Sequence, residues 1–379
     1  MLIAFSVCVI FLAYVYGGFS LLVAVAGTIR NRKVAAAPIT PRVSLIVAAY
    51  NEEDHIAARI ENALAQDYPP DRIEIIIASD GSTDSTNRIV EPYPVLLLKL
   101  PRRGKLNALN AAASRATGDI LVFSDANSLY EPEAIRKLVR NFADPEAGGV
   151  AGRTCYRLKR GSDSASKGES LYWSFDNWLK RMESRTGSIV SAHGGIYAIR
   201  RELFQTSGAS AATDDFAIST AVIQQGYRLV YEPEARSFEY AAPAAEREFR
   251  RKVRLMTRGL AGVLLRRRLL NPFRYGFYSI VLLSHKLLRR LVPFFLIALL
   301  ATSLFLPPLA SVPQLAFYAL AGAGYLLRRR RVGHLKLFYI PFFYCMANAA
   351  AFVAVLNVIR GRRIEFWQPQ RDQEPEAPA

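Results

Sequence analysis

The chain alternates between long apolar runs and short periodic segments, and the first change between the two falls near Pro41. Residues 2–26 carry no charged side chain, and such a run is long enough to cross a hydrocarbon core of about 30 Å. We therefore predict a membrane-spanning helix at residues 1–28. A cleaved signal peptide is the alternative, because Ala24-Val25-Ala26 resembles a small-residue cleavage site, but the run is long and lacks a basic start.

From residue 43 onward, short β-branched runs alternate with segments of helical periodicity. Strands are predicted at residues 43–48, 73–78, 95–100 and 120–123, and helices at residues 54–66, 83–90, 105–115 and 216–225. Repeated strand–helix–strand units indicate an α/β fold with a mainly parallel sheet. We place this domain at residues 41–245.

Beyond residue 245 the apolar pattern returns. An arginine-rich amphipathic stretch at residues 246–290 is predicted to lie on a membrane surface. Apolar segments follow at residues 291–306, 314–327 and 337–358, inside a region at residues 291–360 with two or three spanning or re-entrant helices. The last segment contains Pro341 and Asn348, which favours a broken, re-entrant or interfacial element over a full span. The polar tail at residues 361–379 is predicted to be disordered.

The net charge of +17 changes how these apolar segments are interpreted. Basic clusters lie directly beside them, at residues 30–33, 247–258, 266–268, 286–290, 328–331 and 360–363. This placement is typical of the positive-inside rule and of attraction to anionic lipid, and no nucleic-acid-binding motif accompanies it. The sequence therefore predicts a protein of the bacterial inner (cytoplasmic) membrane with a cytoplasmic α/β domain, membrane lipids as partners and no nucleic acid.

Polar loops follow three of the predicted strands, at residues 49–52, 80–83 and 125–127. Ligands of open α/β sheets bind in the crevice beyond the carboxyl ends of the strands, so these loops can share one crevice. Two of the loops are acidic, Asp80-Gly-Ser-Thr-Asp84 and Asp125-Ala-Asn127. Together with the apolar segments, they indicate a nucleotide-sugar site next to a membrane.

In this context the sequence resembles the family-2 glycosyltransferases, which are inverting enzymes with a GT-A fold. The motifs that carry the resemblance are Val47-Ala-Ala-Tyr-Asn-Glu52, Ser79-Asp-Gly-Ser-Thr-Asp84, Gly104-Lys-Leu-Asn-Ala-Leu-Asn110, Phe123-Ser-Asp-Ala-Asn127 and Thr213-Asp-Asp215. They cover about residues 43–240. The general plan of the rest resembles membrane enzymes of bacterial exopolysaccharide and glycolipid synthesis.

The resemblance implies how a nucleotide-sugar donor would be held. Asp125 would ligate Mg²⁺ or Mn²⁺, and Asn127 stands where many relatives have a second Asp, so a simple turn is the alternative. Lys105 would contact the diphosphate, unless it belongs to a solvated basic loop.

The nucleoside would meet Tyr50, Glu52 and Asp80, and contact between Asp80 and the imide of the base would favour uracil. The alternative for the Tyr50–Glu52 loop is ordinary helix capping.

The resemblance also implies an acceptor side. Asp215 matches the last residue of the family's Thr-Glu-Asp pattern and would be the base that deprotonates the acceptor hydroxyl. Asp214 replaces the Glu and would support the site, with capping of the next helix as the alternative. His193 and Gly194 lie where relatives form the wall near the donor sugar and acceptor, although a lone His beside glycine is as often structural.

An aromatic group at Trp173, Phe175 and Trp178 has nearly helical spacing. We interpret it as core or membrane-interface packing, with an acceptor platform as the alternative.

One segment departs from the processive members of the family, which carry Gln-x-x-Arg-Trp where this chain has Arg251-Lys-Val-Arg-Leu255. Arg254 keeps the arginine that would hold the diphosphate, and Arg251 resembles the glucosylceramide-synthase variant. The missing Trp argues against a processive enzyme.

We therefore expect transfer of a sugar from a UDP-sugar to a lipid or lipid-linked glycan, alongside polysaccharide-assembly proteins. A processive polysaccharide synthase and a non-catalytic assembly subunit with a degenerate domain are the alternatives.

Overall fold

The computed structural model describes residues 1–157, 165–206, 213–240, 245–328 and 330–362. Most of the predicted polar tail therefore lies outside the described residues. The central domain contains one eight-stranded sheet with the order β3-β2-β1-β4-β7-β6-β8-β5. Its strands are β1 (Val43–Ala49), β2 (Ile73–Asp80), β3 (Leu96–Leu100), β4 (Ile120–Asp125), β5 (Leu129–Tyr130), β6 (Ala147–Arg157), β7 (Tyr197–Arg200) and β8 (Arg228–Tyr240).

Helices cover the sheet and form both ends of the described chain. They are α1 (Leu2–Ala13), α2 (Phe19–Arg30), α3 (Ile56–Leu64), α4 (Thr86–Val90), α5 (Lys105–Arg115), α6 (Ala134–Val139), α7 (Ala165–Thr186), α8 (Asp214–Gln224), α9 (Ala245–Leu265), α10 (Pro272–Tyr275), α11 (Phe277–Leu282), α12 (Arg289–Ser303), α13 (Val312–Leu327) and α14 (Lys336–Ile359). Two π-helical turns, Tyr14–Gly18 and Leu283–Leu288, join α1 to α2 and α11 to α12.

The first half of the sheet is parallel, as predicted. Strand β1 pairs in parallel with β2 and β4, and β2 pairs in parallel with β3. Every residue of β1 is buried, which is typical of a central strand covered on both faces. Ile46 packs into one apolar core and Leu45 into the other, because successive side chains of a strand point to opposite faces.

The second half of the sheet is mixed. Strand β7 runs antiparallel to both β4 and β6, and β5 runs antiparallel to β8, while β6 and β8 are parallel. Four of the seven strand pairs among the described residues are parallel, so the sheet is mainly parallel as predicted, and its antiparallel pairs all involve β5 or β7.

Several element ends differ from the predicted ones by a few residues. Strands β1, β2 and β4 run one or two residues further, to Ala49, Asp80 and Asp125. Helix α5 has the predicted bounds. Helix α4 starts at Thr86 instead of residue 83, because Asp84 Oδ1 accepts hydrogen bonds from the Thr86 amide (3.0 Å) and hydroxyl (2.6 Å) and holds the preceding residues in a turn.

The first apolar run forms one continuous helix, Leu2–Arg30, which by length and composition alone is able to cross a membrane. Its second half packs against α7. The contact is close at Gly27, where an added Cβ would lie 2.8 Å from the carbonyl oxygen of Met182. The second half of the helix is therefore attached to the central domain directly and not only through the linker that follows it.

The last apolar segment corrects an expectation, because α14 is one unbroken helix of 24 residues. Pro341 lies early in the helix, and the Asn348 side-chain amide donates to the Tyr344 carbonyl (2.9 Å), so neither residue interrupts it. At a rise of about 1.5 Å per residue this length exceeds the hydrocarbon thickness of about 30 Å. By length and composition α14 is a second candidate span, and α13 is a shorter apolar helix.

The terminal helices and the connections between them expose many large apolar side chains to the surroundings. Examples are Ile3, Ile10, Leu21, Phe305 and Leu326. Water-facing surfaces seldom carry apolar patches of this extent, whereas lipid-facing helices do.

Candidate functional site

Three loops meet at one edge of the parallel half-sheet, as predicted. The register places Ala49 beside Ser79 and Ala48 beside Asp125, so the chain leaves β1, β2 and β4 at the same level. The first two loops are tied together, since the Asn51 amide donates to Ser82 Oγ (3.0 Å). Asn51 has a φ of +53°, a left-handed conformation that asparagine tolerates better than most residues.

The loop after β2 is closed by its own hydrogen bonds. Asp80 is buried, and its carboxylate accepts the amide hydrogens of Arg103 (2.8 Å) and Gly104 (3.0 Å) and the Arg102 guanidinium (2.5 Å). The same guanidinium lies over the Tyr50 ring, 3.3 Å from its centroid. Arg102 therefore joins two residues predicted to contact the nucleoside.

Glu52 lies beside this loop and is also buried. Its amide donates to Thr86 Oγ1 (2.8 Å), and its carbonyl accepts from the amides of His55 and Ile56 at the start of α3. The backbone of Glu52 thus meets the capping alternative.

The deepest part of the crevice contains one lysine between two aspartates. The Lys105 ammonium forms an ion pair with Asp125 and a second with Asp214 (2.9 Å). Burial acts to lower the pKa of Lys105, but the two carboxylates outweigh it and raise that pKa. Burial acts to raise the pKa of Asp214, and Lys105 and Arg258 reverse this and lower it. The structure thus brings together three residues that are far apart in sequence.

Gly194 and Tyr197 complete the surroundings of this cluster. A Cβ on Gly194 would lie 3.1 Å from Asp125 Oδ2, so the glycine gives the carboxylate room. Tyr197 stacks on Phe123, with 4.9 Å between ring centroids, and its buried hydroxyl has no hydrogen-bond partner among the described residues. Burial first, and then the neighbouring carboxylates of Asp214 and Asp215, raise the pKa of Tyr197 well above its ordinary value.

Asp215 is the second residue of helix α8, directly after the ion-paired Asp214. Its Oδ1 accepts the amide hydrogen of Phe216 (2.8 Å), while the Thr213 side chain makes no capping hydrogen bond. Lys286 lies near Phe216, with its ammonium 5.9 Å from the ring centroid. Burial and Arg290 lower the pKa of Lys286, and Asp215 acts in the opposite direction. Asp215 is therefore close to a cation without belonging to the Lys105 cluster.

Helix α9 brings further arginines to the same side of the domain. Arg251, Arg254 and Arg258 are spaced three and four residues apart and share one helical face. Burial, and then the charges of Arg258 and Arg251, lower the pKa of Arg254. The predicted Arg254 thus belongs to a positively charged face whose last arginine acts on Asp214.

The fit of a divalent cation depends on Asp125 and Asn127. Among the described residues, no group of three or more His, Cys, Asp or Glu side chains is placed to hold a metal ion. Asn127 is exposed on the turn after β4. Mg²⁺ is usually held by one or two carboxylates together with substrate phosphates. The residues therefore fit a cation shared between Asp125 and a phosphate-bearing ligand, and they do not form a closed protein site.

The sequence analysis missed Glu239, at the end of β8. Its buried carboxylate accepts a hydrogen bond from Ser128 Oγ (2.5 Å), and a Cβ on Gly195 would lie 2.5 Å from it. Burial first, and then Asp125, raise the pKa of Glu239, although His193 and Arg251 act to lower it. Strand β8 also contains Glu232 and Glu234, so nothing in the sequence distinguishes Glu239 from its neighbours.

A second missed residue is Arg59, on the inner face of α3. It is completely buried, its Nε donates to Ser124 Oγ (3.1 Å), and its guanidinium lies 4.4 Å from the Tyr130 ring centroid. Arg59 and Glu239 therefore hold the turn that carries Asp125 from two sides, through Ser124 and Ser128. An arginine among the apolar residues Ile56 and Ile60 was the available sequence signal.

The aromatic group on α7 is described in part. Phe175 and Trp178 are both 40% exposed and lie with ring centroids 5.8 Å apart, while the Trp173 side chain lies outside the described residues. The exposed pair does not belong to the core, which leaves the membrane-interface interpretation and the acceptor platform.

Comparison with known proteins supports the resemblance to the family-2 glycosyltransferases. Residues 44–208 match the family model described as Glycosyl transferase family 2. A poly-beta-1,6-N-acetyl-D-glucosamine synthase of Staphylococcus aureus is 30% identical over 201 residues, which cover 50% of this chain and 48% of the relative. The synthase of the same name from Staphylococcus epidermidis is 28% identical over 204 residues, covering 51% and 48%. The chain thus spans about half the length of the curated relatives it matches.

A solved structure matches nearly the whole chain. It is the mannosyltransferase PcManGT from Pyrobaculum calidifontis, in complex with GDP-Man and Mn2+, with a TM-score of 0.72, 24% identity and coverage of 95% of this chain and 100% of that one. At this identity the likeness shows a shared fold. The predicted family and fold are confirmed: residues 44–208 form a family-2 glycosyltransferase domain, and the domain has the GT-A fold.

Proposed function

We propose that the protein is an inverting glycosyltransferase that moves a sugar from a UDP-sugar to a membrane lipid or lipid-linked glycan. The observation that carries the proposal is the buried Lys105 ammonium between Asp125 and Asp214, in the same crevice as the Asp80 loop. A domain of this family supplies the context.

The nucleoside is assigned to the closed side of the crevice. Arg102 fixes Tyr50 and Asp80 relative to each other, which gives a planar ring and a carboxylate in one rigid unit. The Asp80 carboxylate is the group that we assign to the imide hydrogen of uracil, as the resemblance to the family implies. Glu52 lies at the start of α3 beside this unit.

The diphosphate is assigned to the cationic part of the crevice. Negative charge grows on it as the sugar departs, so cations placed beforehand lower the barrier. Lys105 and Arg254 are the side chains that we assign to this task, with Asp125, and the neutral carbonyl of Asn127, facing Mg²⁺ or Mn²⁺. The metal, when bound, supplies further positive charge to the leaving group.

Asp215 is the residue that we assign as general base. Asp214 is poorly suited, because Lys105 holds its carboxylate in an ion pair and lowers its pKa. Asp215 takes the proton of the acceptor hydroxyl as the acceptor oxygen attacks the anomeric carbon, and the bond to the diphosphate oxygen breaks with inversion. Asp214, His193, Gly194 and Arg251 support this side of the site.

The membrane arrangement is proposed from the terminal helices. Residues 1–28 anchor the chain, residues 41–245 form the catalytic domain on the cytoplasmic side of the inner membrane, residues 246–290 lie at the interface, and residues 291–360 return to the bilayer. The exposed apolar side chains and the two candidate spans support this arrangement. The transferase then acts on acceptors presented at the bilayer surface.

A processive polysaccharide synthase is the second candidate, favoured by the names of the curated relatives. Against it stands Leu255, in the position of the acceptor-stacking Trp of processive members. Mass spectrometry of products separates the candidates, since single transfer extends the acceptor by one sugar and a synthase makes a long polymer.

The test of the proposal is Asp215→Asn, assayed with a panel of nucleotide sugars and lipid extracts. We expect transfer to fall by roughly 10²–10⁴-fold, the usual contribution of a general base, with donor binding retained. Asp71→Asn, an exposed acid in the turn before β2, is the matched control and should transfer normally. Undiminished turnover of the Asp215 variant refutes the assignment, and absence of UDP release from the wild type supports a non-catalytic subunit.

A further inference from the structure

A cavity outside the crevice lies between the N-terminal helix, α7 and the π-helical turn Leu283–Leu288. Its polar and aromatic lining comprises Tyr16, Ser20, Phe175, Ser284, His285 and Arg289, and aliphatic and aromatic side chains complete the walls. We call it the anchor cavity. It thus combines apolar side chains with three hydroxyls and two basic side chains.

Hydrogen bonds hold two residues of the anchor cavity, His285 and Ser284, in place. Glu183 is fully buried, and its carboxylate contacts His285 Nδ1 (2.9 Å) and accepts the amide hydrogen of Val190 (3.1 Å). A carboxylate at Nδ1 favours a proton on that nitrogen and leaves Nε2 as the ring nitrogen for a ligand. On the other side, the hydroxyls of Tyr14 and Ser284 are hydrogen-bonded (2.8 Å). Ser284 and His285 are thereby oriented by partners on separate helices.

The π-helical geometry of the turn links this cavity to the crevice. Single π-helical turns occur often at functional sites, because the wider turn re-aims the side chains it carries. Here Ser284 and His285 line the cavity, while Lys286, the next residue, reaches towards Phe216 beside Asp215. One short turn therefore lines the cavity and also carries a lysine near Phe216, the residue next to the proposed base.

In the proposed membrane arrangement, exposed aromatic side chains place the anchor cavity near the level of lipid headgroups. Tyr16, Phe175 and Trp178 are exposed near the cavity, and aromatic side chains concentrate where hydrocarbon meets headgroups. A ligand that enters here can keep an apolar chain in the bilayer while its polar end meets Arg289.

We propose that the anchor cavity binds the phosphate group of a membrane lipid and so holds a lipid-linked acceptor for the transferase. Arginine is suited to this task because its planar guanidinium donates two hydrogen bonds to one phosphate. The hydroxyls of Ser284 and Ser20 supply further donors. This inference rests on the proposed function, and it names the acceptor as a phosphate-bearing lipid whose sugar hydroxyl extends past Lys286 to Asp215.

The test uses the full-length protein in phosphatidylcholine nanodiscs, titrated with a polyprenyl monophosphate and followed by native mass spectrometry. We expect Arg289→Gln to weaken lipid-phosphate binding about tenfold, the effect of one lost charged hydrogen bond. Arg267→Gln, on an exposed turn outside the cavity, removes the same charge and should bind like the wild type. An equal loss in both variants would show a general attraction of basic surface to anionic lipid and would overturn the proposal.

A second variant and a competition measurement separate the possible explanations of this result. Ser20→Leu fills the cavity without removing a charge and should also reduce lipid-phosphate binding. It therefore tests the proposal even if Arg289→Gln fails to fold. Inorganic phosphate should compete only weakly, because it lacks the apolar chain. Competition as strong as that of the lipid would indicate a site for a free anion and overturn the lipid assignment.

The inference and the proposed function fail separately. Asp215→Asn should bind lipid phosphate as well as the wild type, since the base does not line the anchor cavity. If the wild type transfers sugar while Arg289→Gln binds lipid phosphate unchanged, the cavity proposal is wrong and the transferase stands. If lipid phosphate binds at Arg289 and no sugar donor is used, the cavity proposal stands alone.

Discussion

The two sides of the crevice differ in how their charges are balanced. On the nucleoside side, Asp80 has backbone amides and Arg102 as partners, and Arg102 also has the Tyr50 ring. On the transfer side, the Lys105 ammonium is shared by two carboxylates, and a buried tyrosine hydroxyl among them has no partner in the described residues.

The difference indicates two kinds of binding surface. The side that we assign to the nucleoside has its charges paired within the protein. The side that we assign to sugar transfer is an arrangement of charges that the proposed donor and acceptor would complete, which is typical of sites where charge changes during a reaction. Substitutions on the two sides should therefore have different consequences.

The largest effect is expected for Lys105→Gln, which leaves the Asp125 and Asp214 carboxylates without their shared ammonium. Breaking a buried pair by removing one partner lowers the free energy of unfolding by about 3–5 kcal/mol. Chemical unfolding in detergent, followed by fluorescence, measures the change. Lys99→Gln is the control, because its ion pair with Glu91 is exposed and such pairs contribute at most about 1 kcal/mol.

This substitution also has a pH signature. The lowered pKa of Asp214 means that its ion pair stabilises the fold above the ordinary carboxyl pKa, and that this stabilisation disappears as pH falls through the lowered value. The difference in unfolding free energy between wild type and Lys105→Gln should therefore shrink in acid. A difference that stays constant would show that Lys105 acts through packing.

A smaller effect, confined to the donor, is expected for Arg102→Gln. The variant loses the charged hydrogen bond to Asp80 and the stacking on Tyr50, so we expect the donor KM to rise about tenfold with kcat nearly unchanged. Steady-state kinetics with the UDP-sugar measure both constants. Arg115→Gln, an exposed arginine at the end of α5, should leave both as they are. A fall in kcat at constant KM would contradict the division between the two sides.

The smallest effect is expected for Glu239→Gln, which should raise the free energy of unfolding instead of lowering it. Burial and Asp125 raise the pKa of Glu239, so its charged form costs stability as pH rises above the ordinary glutamate value. The glutamine variant should be more stable than the wild type at neutral pH, on the order of 1 kcal/mol, and equal to it in acid. Thermal unfolding across pH measures the trend, and exposed Glu133→Gln should show none.

The sequence was most informative where local pattern decides structure. Strands β1, β2 and β4 were predicted to within one or two residues, because buried parallel strands form continuous apolar runs with polar loops after them. Helix α5 was predicted with its observed bounds. The start of α4 was misplaced because a side chain two residues before it, Asp84, holds the turn.

The sequence was least informative where distant segments meet. Nothing local to Lys105 indicates that it lies between Asp125 and Asp214, or that Arg102 stacks on Tyr50. Glu239 matches no motif, and its role depends on β8 pairing with β5 and β6. The last apolar segment was predicted to be a broken, re-entrant or interfacial element because of Pro341 and Asn348, but α14 continues past Pro341, and Asn348 is satisfied by the Tyr344 carbonyl.

The close approach of Gly27 to Met182 has a mechanical consequence. Because no larger residue fits there, the N-terminal helix is fixed to α7 in both height and rotation. One residue inserted between Gly27 and the bilayer would shift the anchor by about 1.5 Å and turn it by about 100°. In the proposed membrane arrangement, the number of residues in this helix would therefore set the distance between the central domain and the bilayer surface.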